Sequence, residues 1–524
     1  MNVALICIAK DEDYYIKEWC EYHLKLGFNH VFIYENNWVC QYRNLQLTRI
    51  PFNGYNLQIK AYNHFIQTYS KDYDFGLFID VDEFLVLKHE NQIQSFLEKF
   101  NDYLGVGINW KLHGDNKHEL VLNNYFSLVK RFTRSDDKIN KHIKTCLNFR
   151  YIREHHINDI QFICPHCVDF KYHIISSDLK HEISGPFNEN TCVDALLFHY
   201  YCKTKEEYVH IKRKRGFADH PDAKPYKDSD FDNHNLNTIS SLDAYNFYFD
   251  IEKRKKHDLL QLGVKIPTVK DVFDTMEEIL CTNKSLCRFG DGELSFLSRE
   301  TDTIFEHKND KLTQRLKEIL TSDDERVMVS INRAYLYDDI PVNHNVHVHY
   351  EIVEKNVIVE RNYSDLFNHN MMYYSSEISI VNHHYNIKRE FIESIYNGFL
   401  TKFYNRTLLL VTGDRRILSY EHNILKETSK ELIHIEAPVK NSFDEYDDIL
   451  SRTVEKAKEY DNDVIVCICL GHTGTVLAYD LATKHNILAY DIGHLPKEYH
   501  CFRMGLVPCS NEETSYLGNM FFAD

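Results

Sequence analysis

A short apolar run that ends in paired carboxylates constrains this chain more than any other feature. The run is Leu77-Phe78-Ile79, and Asp80-Val81-Asp82-Glu83 follows it directly. An apolar run of this length predicts a buried strand, and the residues after a strand of a parallel α/β sheet lie at the edge where ligands bind. Two carboxylates there supply the hard oxygen donors that Mg²⁺ and Mn²⁺ prefer. The stretch predicts a metal clamp on a nucleotide diphosphate, with a solvated turn as the alternative.

The residues before this stretch predict the start of a parallel sheet. The predicted elements are a strand Val3 to Ile8, a helix that ends at Gly27, a strand Val31 to Tyr34 and a helix Leu57 to Tyr69. Strands that alternate with helices favour a βαβ arrangement, in which the strands are parallel and their carboxyl ends meet at one edge. Asp11 and Glu12 follow the first strand and should approach Asp80 there. We expect a nucleotide pocket at this edge.

A second α/β pattern begins after a change of composition between about 221 and 258. A helix Leu242 to Lys256 is predicted to end the first domain, and a new helix Val269 to Cys281 follows. Three later apolar runs predict buried parallel strands: Arg326 to Ile331, Leu408 to Val411, and Val464 to Leu470. The predicted fold class is α/β with two domains, residues 1–260 and 261–524.

Two loops of the second half carry groups suited to a phosphate ligand. Arg288-Phe289-Gly290-Asp291-Gly292-Glu293 places two carboxylates between glycines that allow close approach to a ligand. The strand that ends near Leu470 runs into Gly471-His472-Thr473-Gly474-Thr475 at the start of a helix, where backbone N–H groups and hydroxyls can hold a diphosphate. Asp491-Ile492-Gly493-His494 ends the next strand. As alternatives, these glycines serve tight turns and Asp491 caps a helix.

Charge and hydropathy exclude several partners. The 524 residues carry a formal net charge of −17, which argues against nucleic acid or an anionic membrane as the main partner. The apolar runs are too short to span a bilayer, so we expect at most peripheral membrane contact. The first residues lack the features of a secretory signal peptide. The 14 cysteines lie scattered in apolar runs, as expected of reduced thiols. A cytoplasmic location is predicted.

One cysteine motif allows a separate interpretation. Cys164-Pro165-His166-Cys167 has the spacing of a thiol redox site, although no long helix is predicted after it as in thioredoxin-like proteins. A zinc site from Cys164, Cys167, Cys192 and Cys202 is the other alternative, but the second pair lacks the spacing of a zinc knuckle. Buried, inert thiols remain the simplest interpretation.

The first half resembles GT-A glycosyltransferases of the family 2 and family 92 type. The resemblance covers residues 1 to about 250 and rests on several motifs in order: Ala4 to Glu12, Glu18-Trp19, Glu21-Tyr22-His23, Gly27-Phe28, Asp80 to Phe84, Asn109-Trp110 with Gly114, the strand-like Val129 to Phe132, Pro165-His166 and His199-Tyr200. It implies that Asp80 and Asp82 hold a divalent metal and the sugar nucleotide, and that His199 completes the metal site. Packing in the core is the alternative for His199.

The same resemblance implies roles for other residues. Asp11 and Glu12 would bind the base or ribose of the donor. Three residues stand where such enzymes place acceptor-side groups and are candidates for the catalytic base: Asp115, His118 and Glu119. A strand followed by Asp-x-Asp also opens phosphatases of the haloacid dehalogenase type, but Glu83-Phe84 stands where that family has Thr or Val. We rank that alternative lower.

The second half resembles the GT-D glycosyltransferase family, which uses an Asp-x-Glu metal motif. The matching residues are Arg288 to Glu293, Pro438 with Asn441 and Phe443, Gly471 to Leu481, and Asp491 to His494 with Tyr499. The resemblance implies catalytic and metal-binding roles for Asp291 and Glu293. It implies donor binding by Arg288, Asn441, Gly471, Thr473, Thr475, Asp491 and His494. Thr412-Gly413-Asp414-Arg415-Arg416 and Asn382-His383-His384-Tyr385 depart from the family pattern.

Together the two resemblances imply a bifunctional glycosyltransferase with two Rossmann-like domains that bind nucleotide sugars. We expect Mn²⁺ or Mg²⁺ as cofactor, nucleotide sugars of the UDP type as donors, and a glycan, glycoprotein or glycolipid as acceptor. The metal would neutralise charge that develops on the departing diphosphate. The alternative is one active GT-A domain followed by a degenerate module that binds a glycan or a partner.

Overall fold

The chain forms two compact units, Met1–Phe249 and Asp250–Asp524. The computed structural model describes residues 1–118, 127–213, 227–299, 302–303, 305–343, 363–460 and 463–506. The division lies before the one placed from the sequence at 260/261. The physical reason is that Lys256 already donates its backbone N–H to Leu336, and Lys255 pairs with Tyr337, both in the second unit.

The strands of the first unit are β1 Val3–Ala9, β2 His30–Glu35, β3 Leu47–Pro51, β4 Phe75–Phe78, β5 Glu83–Leu87, β6 Gly105–Leu112, β7 Arg134–Ser135, β8 Asn140–Asn148, β9 Ile174–Ser176, β10 Glu182–Ile183, β11 Ala195–His199 and β12 Ile239–Ser240. Its α-helices are Ile16–Lys25, Gln58–Thr68, Ile93–Leu97, Leu128–Arg131, Phe149–Glu154, Lys205–Glu207, Asp228–His234 and Asp243–Tyr248. A π-helical turn, Tyr208–Lys212, continues the helix Lys205–Glu207.

The strands of the second unit are β13 Thr268–Val269, β14 Ser285–Arg288, β15 Val327–Ile331, β16 Met372–Ser375, β17 Thr407–Thr412, β18 Glu431–Glu436, β19 Val464–Cys469 and β20 Ala489–Asp491. Its α-helices are Ile251–Arg254, His257–Gln261, Val272–Cys281, Asp291–Arg299, Asp310–Leu320, Val381–His384, Arg389–Phe403, Ile424–Glu427, Tyr446–Ala457, His472–His485 and Leu495–Arg503.

The first unit is built on a mixed sheet with the order β10-β9-β6-β8-β4-β1-β2-β3, and β11 joins β5 to β6. The strands β4, β1, β2 and β3 are parallel, so the loops after them open on one edge. Residues of β1 alternate between two cores: Val3, Leu5 and Cys7 lie in one, and Ala4 and Ile6 lie in the other. Both faces of the sheet are therefore covered, as its parallel strands require.

The second unit is a sheet of parallel strands in the order β13-β16-β15-β14-β20-β19-β17-β18. Leu408 to Val411 of β17 are fully buried between β18 and β19, which is consistent with their continuous apolar sequence. The strand order reverses between β14 and β20, because β14 leads outward to β15 while β20 lies beside β19. A crevice at the carboxyl ends of the strands is expected at such a switch point.

Two predicted elements of the first half are wrong in detail. The segment Val129 to Phe132, predicted as strand-like, lies in and directly after the short helix Leu128–Arg131. The side chain of Ser127 accepts the N–H of Lys130, and Glu18 accepts the N–H of Leu128, so the helix start is capped. The helix predicted over Leu242 to Lys256 is broken at Asp250, whose φ of 52° is left-handed. Helix capping at Ser127 and the left-handed backbone at Asp250 thus override the structure that the hydrophobic pattern predicts.

Candidate functional sites

The carboxylates that follow β4 lie beside a buried lysine from β8. Lys144 Nζ is 2.8 Å from Asp80 Oδ2 and 3.8 Å from Glu83 Oε1. Gln58 donates its side-chain amide to Asp80 Oδ1 at 2.6 Å. Burial alone would raise the pKa of Asp80, but Lys144 holds it below its usual range. Asp80 is therefore an ionised carboxylate whose orientation is fixed from two sides.

Glu83 behaves differently from its neighbour. Its side chain is fully buried, and Oε2 accepts the backbone N–H of Asp80 at 3.0 Å. Burial raises the pKa of Glu83 well above its ordinary value, whereas the pKa of Lys144 is raised by Asp80 and Glu83. The shorter distance pairs the Lys144 ammonium with Asp80 rather than with Glu83. Sequence reasoning missed Lys144, although a lysine inside the apolar run Ile143 to Leu147 is a signal.

Asp82 contacts a different pair of residues, His199 and Lys212. His199 Nε2 is 3.5 Å from Asp82 Oδ1, and Lys212 Nζ is 3.5 Å from Asp82 Oδ2. Despite its burial, Asp82 has a pKa well below the usual range because of Lys212 and His199. Burial lowers the pKa of His199, so its imidazole is neutral at pH 7. The edge of the Trp110 ring packs against His199 with centroids 4.4 Å apart.

The chemistry of Asp82 and His199 fits a divalent cation. An ionised carboxylate and a neutral imidazole are the protonation states that bind metal, and their donor atoms are already neighbours. Mg²⁺ and Mn²⁺ take few protein ligands when substrate phosphates complete the shell. Within the described ranges, His, Cys, Asp and Glu form no group of three or more arranged for a metal. Asp82 and His199 are therefore a pair of candidate ligands rather than a complete ligand set.

Asp11 and Glu12 follow β1 at the same edge of the sheet. Asp11 is exposed and has a left-handed φ of 56°, while Glu12 is buried. The charges of Asp80 and Glu12 both contribute to raising the pKa of the Cys7 thiol on β1, after the larger effect of burial. The approach of Glu12 to Asp80 stays a prediction.

The predicted acceptor-side residues have mainly structural contacts. Asp115 accepts the N–H of Lys117 at 2.9 Å and the side-chain amides of Asn235 and Asn237 at 2.9 and 3.1 Å. Both of its oxygens therefore tie one loop to the segment after the helix Asp228–His234. His118 is buried, and its ring lies against Phe132. Glu119 lies outside the described residues. Asp115 has the contacts of a loop anchor, so we do not retain it as the leading candidate for the base.

In the second unit, Arg288 lies at the carboxyl end of β14, beside the switch point. A Cβ atom at residue 290 would lie 3.0 Å from Arg288 Nη1, and one at residue 493 would lie 3.2 Å from the same atom. The guanidinium therefore packs directly against Gly290 and Gly493, which explains why side chains are absent there. Its Nε donates to the carbonyl of Ser376 at 3.3 Å.

Glu293 and Asp291 lie in the first turn of the helix Asp291–Arg299. Glu293 is buried, and its Oε2 accepts the N–H of Gly290 at 2.8 Å, as a capping carboxylate does. Its Oε1 lies 3.6 Å from Nδ1 of His472, a fully buried ring. Asp291 is exposed at the helix N-terminus. These two carboxylates are the candidates for a metal in this unit, with His472 as a neighbour that the predicted site set omitted.

Asp491 ends β20, His494 follows it, and both lie within electrostatic reach of Arg288. Burial raises the pKa of Asp491 to about 7, although Arg288 acts in the opposite direction. Burial and the nearby Arg288 lower the pKa of His494 to about 4, so this imidazole is neutral at pH 7. A Cβ at residue 474 would lie 3.5 Å from Asp491 Cγ, an ordinary van der Waals distance, so the start of the helix His472–His485 packs directly against this carboxyl group. The structure thus brings together Arg288 from β14, Asp491 from β20 and Glu293 from the helix Asp291–Arg299.

The hydroxyls predicted to bind a diphosphate are engaged by protein groups. Thr473 is fully buried and donates its hydroxyl to Glu306 at 2.5 Å. Thr475 Oγ1 lies 2.7 Å from the carbonyl of Arg288 and 3.1 Å from Asp491 Oδ2. Gly471, with a φ of 52°, begins the turn into their helix. Thr475 fixes the helix His472–His485 to β14 and β20, and Thr473 fixes it to the segment that carries Glu306.

Asn441 contacts the start of the helix His472–His485 only indirectly, through the segment around Glu306. Its φ is 53°, its N–H donates to the carbonyl of Phe305 at 2.7 Å, and its Oδ1 accepts the N–H of His307 at 3.0 Å. Glu306, between these residues, accepts the hydroxyl of Thr473. Asn441 therefore anchors the segment that carries Glu306. Sequence reasoning gave no signal for Glu306, because its partner is distant in the chain.

Comparison with known proteins identifies the fold of the second unit. Residues 286–514 match the family described as glycosyltransferase GT-D fold. The glycosyltransferase GlyD of Streptococcus pneumoniae is 24% identical over 263 residues, which are 49% of this chain and 30% of that protein. This chain therefore spans less than a third of that relative. The prediction of a GT-D-type fold in the C-terminal half is confirmed.

Two solved structures are also similar. One is described as the highly conserved domain of unknown function 1792 with a distinct glycosyltransferase fold; it is 26% identical, covers 48% of this chain and 86% of its own, and has a TM-score of 0.42. The other is a new glycosyltransferase from Streptococcus sanguinis, 25% identical, with coverage of 46% and 86% and a TM-score of 0.42. Within the described part of the chain, every helix is too short or too polar to cross a lipid bilayer.

Proposed function

We propose that this chain is a glycosyltransferase that uses nucleotide sugars and that each of its units holds one donor site. The observation that carries the proposal is the match of residues 286–514 to the GT-D glycosyltransferase fold, since that range contains the Arg288, Glu293 and Asp491 group at the switch point of the sheet. Parallel sheets bind ligands at this position. The transfer reaction requires a pocket that accepts a diphosphate, and this group has the necessary charges.

In the second unit, Arg288 provides the fixed positive charge. Its guanidinium is held by Ser376 and by contact with two glycines, so it can present N–H groups to a phosphate without reorganisation. Asp291 and Glu293 would hold Mn²⁺ or Mg²⁺, which when bound neutralises charge on the departing diphosphate. Asp491, with a pKa raised to about 7, is the group here that can hold or release a proton near neutral pH.

In the first unit, we propose a GT-A-type donor site after β1 and β4. Asp82 and His199 would hold the divalent cation, and Lys144 orients Asp80. Glu12 and Asp11, after β1, would contact the ribose or base. The observation in favour is that two ionised carboxylates, a neutral imidazole and two ammonium groups meet at the carboxyl end of parallel strands. A cluster of charged groups with shifted pKa values is typical of functional sites.

The donor and acceptor follow from these proposals. A UDP-sugar is the proposed donor for both units, and a glycan, glycoprotein or glycolipid is the proposed acceptor. Two donor sites in one chain would let it extend a glycan by two successive transfers. If the second unit instead acts only as a glycan-binding module, substitutions at its carboxylates will leave donor turnover unchanged.

The test uses the full chain and a set of UDP-sugars with Mn²⁺. Asp82→Asn and Glu293→Gln each remove a charge at nearly constant shape. Each should abolish hydrolysis or transfer of one donor and leave turnover of the other donor intact. Asp159→Asn and Glu390→Gln are the matched controls, because both carboxylates are exposed and distant in sequence from the proposed donor-site residues. Full activity in both site variants would refute the assignments.

A further inference from the structure

A pair of cysteines in the first unit lies outside both donor sites. Cys164 Sγ and Cys167 Sγ are 3.1 Å apart. Cys164 is partly exposed and Cys167 is buried. They close a tight turn, because Phe162 pairs with Val168 and Ile163 donates its N–H to the carbonyl of Cys167 at 3.2 Å. The thiols are therefore adjacent, one of them reachable from solvent, on a turn that is held at its base.

The same turn is fastened to the strand that carries Lys144. His166 Nδ1 lies 2.8 Å from the carbonyl of Ile143, and Thr145 donates its hydroxyl to the carbonyl of His166 at 2.7 Å. Both contacts flank Lys144, whose ammonium holds Asp80. A shift of His166 would thus act on β8 directly on either side of the lysine that orients the donor-site carboxylate.

The two thiols differ in protonation. The pKa of Cys164 is lowered to about 6, chiefly because the S–H of Cys167 donates to it, and burial only partly opposes this. The backbone N–H of His166 also points to Cys164 Sγ at 3.4 Å. The pKa of Cys167 is raised by the same contact and by burial. The exposed sulfur is therefore the nucleophilic thiolate and the buried one keeps its proton, as in a thiol–disulfide exchange pair.

We propose that Cys164 and Cys167 form a reversible disulfide by exchange with a low-molecular-weight disulfide, and that this modification changes nucleotide binding in the cleft of the first unit. The second part rests on the proposed donor site. In the exchange, the Cys164 thiolate attacks one sulfur of the small disulfide and releases one thiol. Cys167 then attacks Cys164 Sγ, releases the second thiol and closes the protein disulfide. Two electrons pass to the small disulfide: its first sulfur leaves as a thiolate that takes a proton from water, and its second leaves with the proton of Cys167.

The geometry explains why the cleft responds. A disulfide bond is about 2.05 Å long, so the two sulfurs must approach each other by about 1 Å. Pro165 and His166 form the loop between them, and the shift must be taken up there. The contacts of His166 with Ile143 and Thr145 are the attachments of that loop to β8. We expect the Lys144–Asp80 pair, and with it the diphosphate region of the cleft, to move.

The thiol site is tested on the full chain with oxidised glutathione as the probe. After incubation and removal of the probe, peptide mass spectrometry should show Cys164 linked to Cys167 with the loss of two hydrogen atoms, reversed by a dithiol reductant. Cys164→Ser and, as a second variant, Cys164→Ala should prevent the link. Cys192→Ala, which removes another cysteine of this unit, should not. If both cysteines remain fully alkylatable after the incubation, the proposal is overturned.

The effect on the first unit is tested by UDP titration of the reduced and oxidised forms of the full-length Glu293→Gln variant in the presence of Mn²⁺, because the second unit has a proposed UDP site of its own that this substitution disables. Oxidation should weaken binding about tenfold, within the range of typical coupling between sites. Thr145→Val retains both thiols but removes one attachment of His166, so its disulfide should form while the change in affinity becomes much smaller. Equal affinity of the reduced and oxidised chain would overturn the coupling. If neither form binds UDP at this cleft and the disulfide still forms, the proposed donor site fails and the redox site stands.

Discussion

A buried ion pair in the first unit predicts a large and measurable loss of stability. Arg131 donates to both oxygens of Glu207 at 3.0 and 2.8 Å, and the two side chains are 1% and 2% exposed. Tyr15 and Thr204 also donate to this carboxylate. Glu207 lies between β11, which ends at His199, and the turn that carries Lys212. The pair therefore supports the segment that carries Lys212 and follows His199, both near the proposed donor site of this unit.

The expected magnitude follows from burial. Removing one partner of a buried ion pair leaves the other charge uncompensated and costs about 3–5 kcal/mol. Arg131→Met should show the full effect. Glu207→Gln should cost somewhat less, since an amide keeps part of the hydrogen bonding with Tyr15 and Thr204. The double variant should be less destabilised than the sum of the two, by roughly 1–3 kcal/mol, because neither charge is then left alone.

Urea denaturation followed by tryptophan fluorescence measures this unit selectively, because the three tryptophans, Trp19, Trp38 and Trp110, all lie in it. The midpoint should fall by about 1–2 M for the single variants. Glu189→Gln is the control, since its pair with Lys141 is exposed and should contribute little. If Glu207→Gln shifts the midpoint no more than this control, the buried pair makes no net contribution and the reasoning is refuted.

The same pair predicts a pH dependence with a definite sign. Hydrogen bonds and the charge of Arg131 lower the pKa of Glu207 to about 2 in spite of burial. The folded state therefore favours the ionised form, and its stabilisation is complete above pH about 4.5 and is lost as pH falls toward 2; a shift of this size corresponds to about 3 kcal/mol. The slope of stability against pH in this window should be smaller in Glu207→Gln than in the unsubstituted chain.

Three further predictions concern other buried groups. Burial raises the pKa of Glu18 to about 7, so the first unit should lose stability as pH rises from about 4.5 to 7, and Glu18→Gln should remove this loss in the fluorescence assay. Glu278 accepts from Lys270 and Lys284, both at 2.7 Å and buried, so Glu278→Gln should destabilise the second unit by about 3 kcal/mol or more, measured by circular dichroism. Gly413→Ala should also destabilise that unit, by about 1–3 kcal/mol, because its Cβ would lie 2.7 Å from the carbonyl oxygen of Ala437.

The sequence predicts the strands well where an apolar run is continuous. The apolar runs that begin at Val3, Leu408 and Val464 all form strands, with bounds within two residues of those predicted. Such strands are buried on both faces, and their pattern depends on few competing signals. The helix predicted at Leu242 to Lys256 failed because Asp250 reverses the backbone there, and no local pattern distinguishes that residue from an ordinary helical aspartate.

The candidate sites could be predicted only in part for a related reason. Motifs list residues that are close in sequence, such as Asp80 with Asp82 and Asp291 with Glu293. The contacts that set their charge come from elsewhere: Lys144 from β8, and Asp491 from β20. The hydroxyls of Thr473 and Thr475 have the right chemistry for a phosphate, yet tertiary contacts commit them to Glu306 and to Arg288 and Asp491.

A physical rule recovers some of the missing partners. A buried charge is costly unless an opposite charge or several hydrogen bonds compensate it. A basic residue inside an apolar strand therefore requires a carboxylate, or several hydrogen-bond acceptors, near it in space. Lys144 in β8 meets Asp80, Arg288 at the end of β14 lies within electrostatic reach of Asp491, and Arg49 in β3 lies 3.3 Å from Glu35. In each case the carboxylate lies at or just after the carboxyl end of a neighbouring strand. A cation inside a strand therefore helps to locate a candidate site.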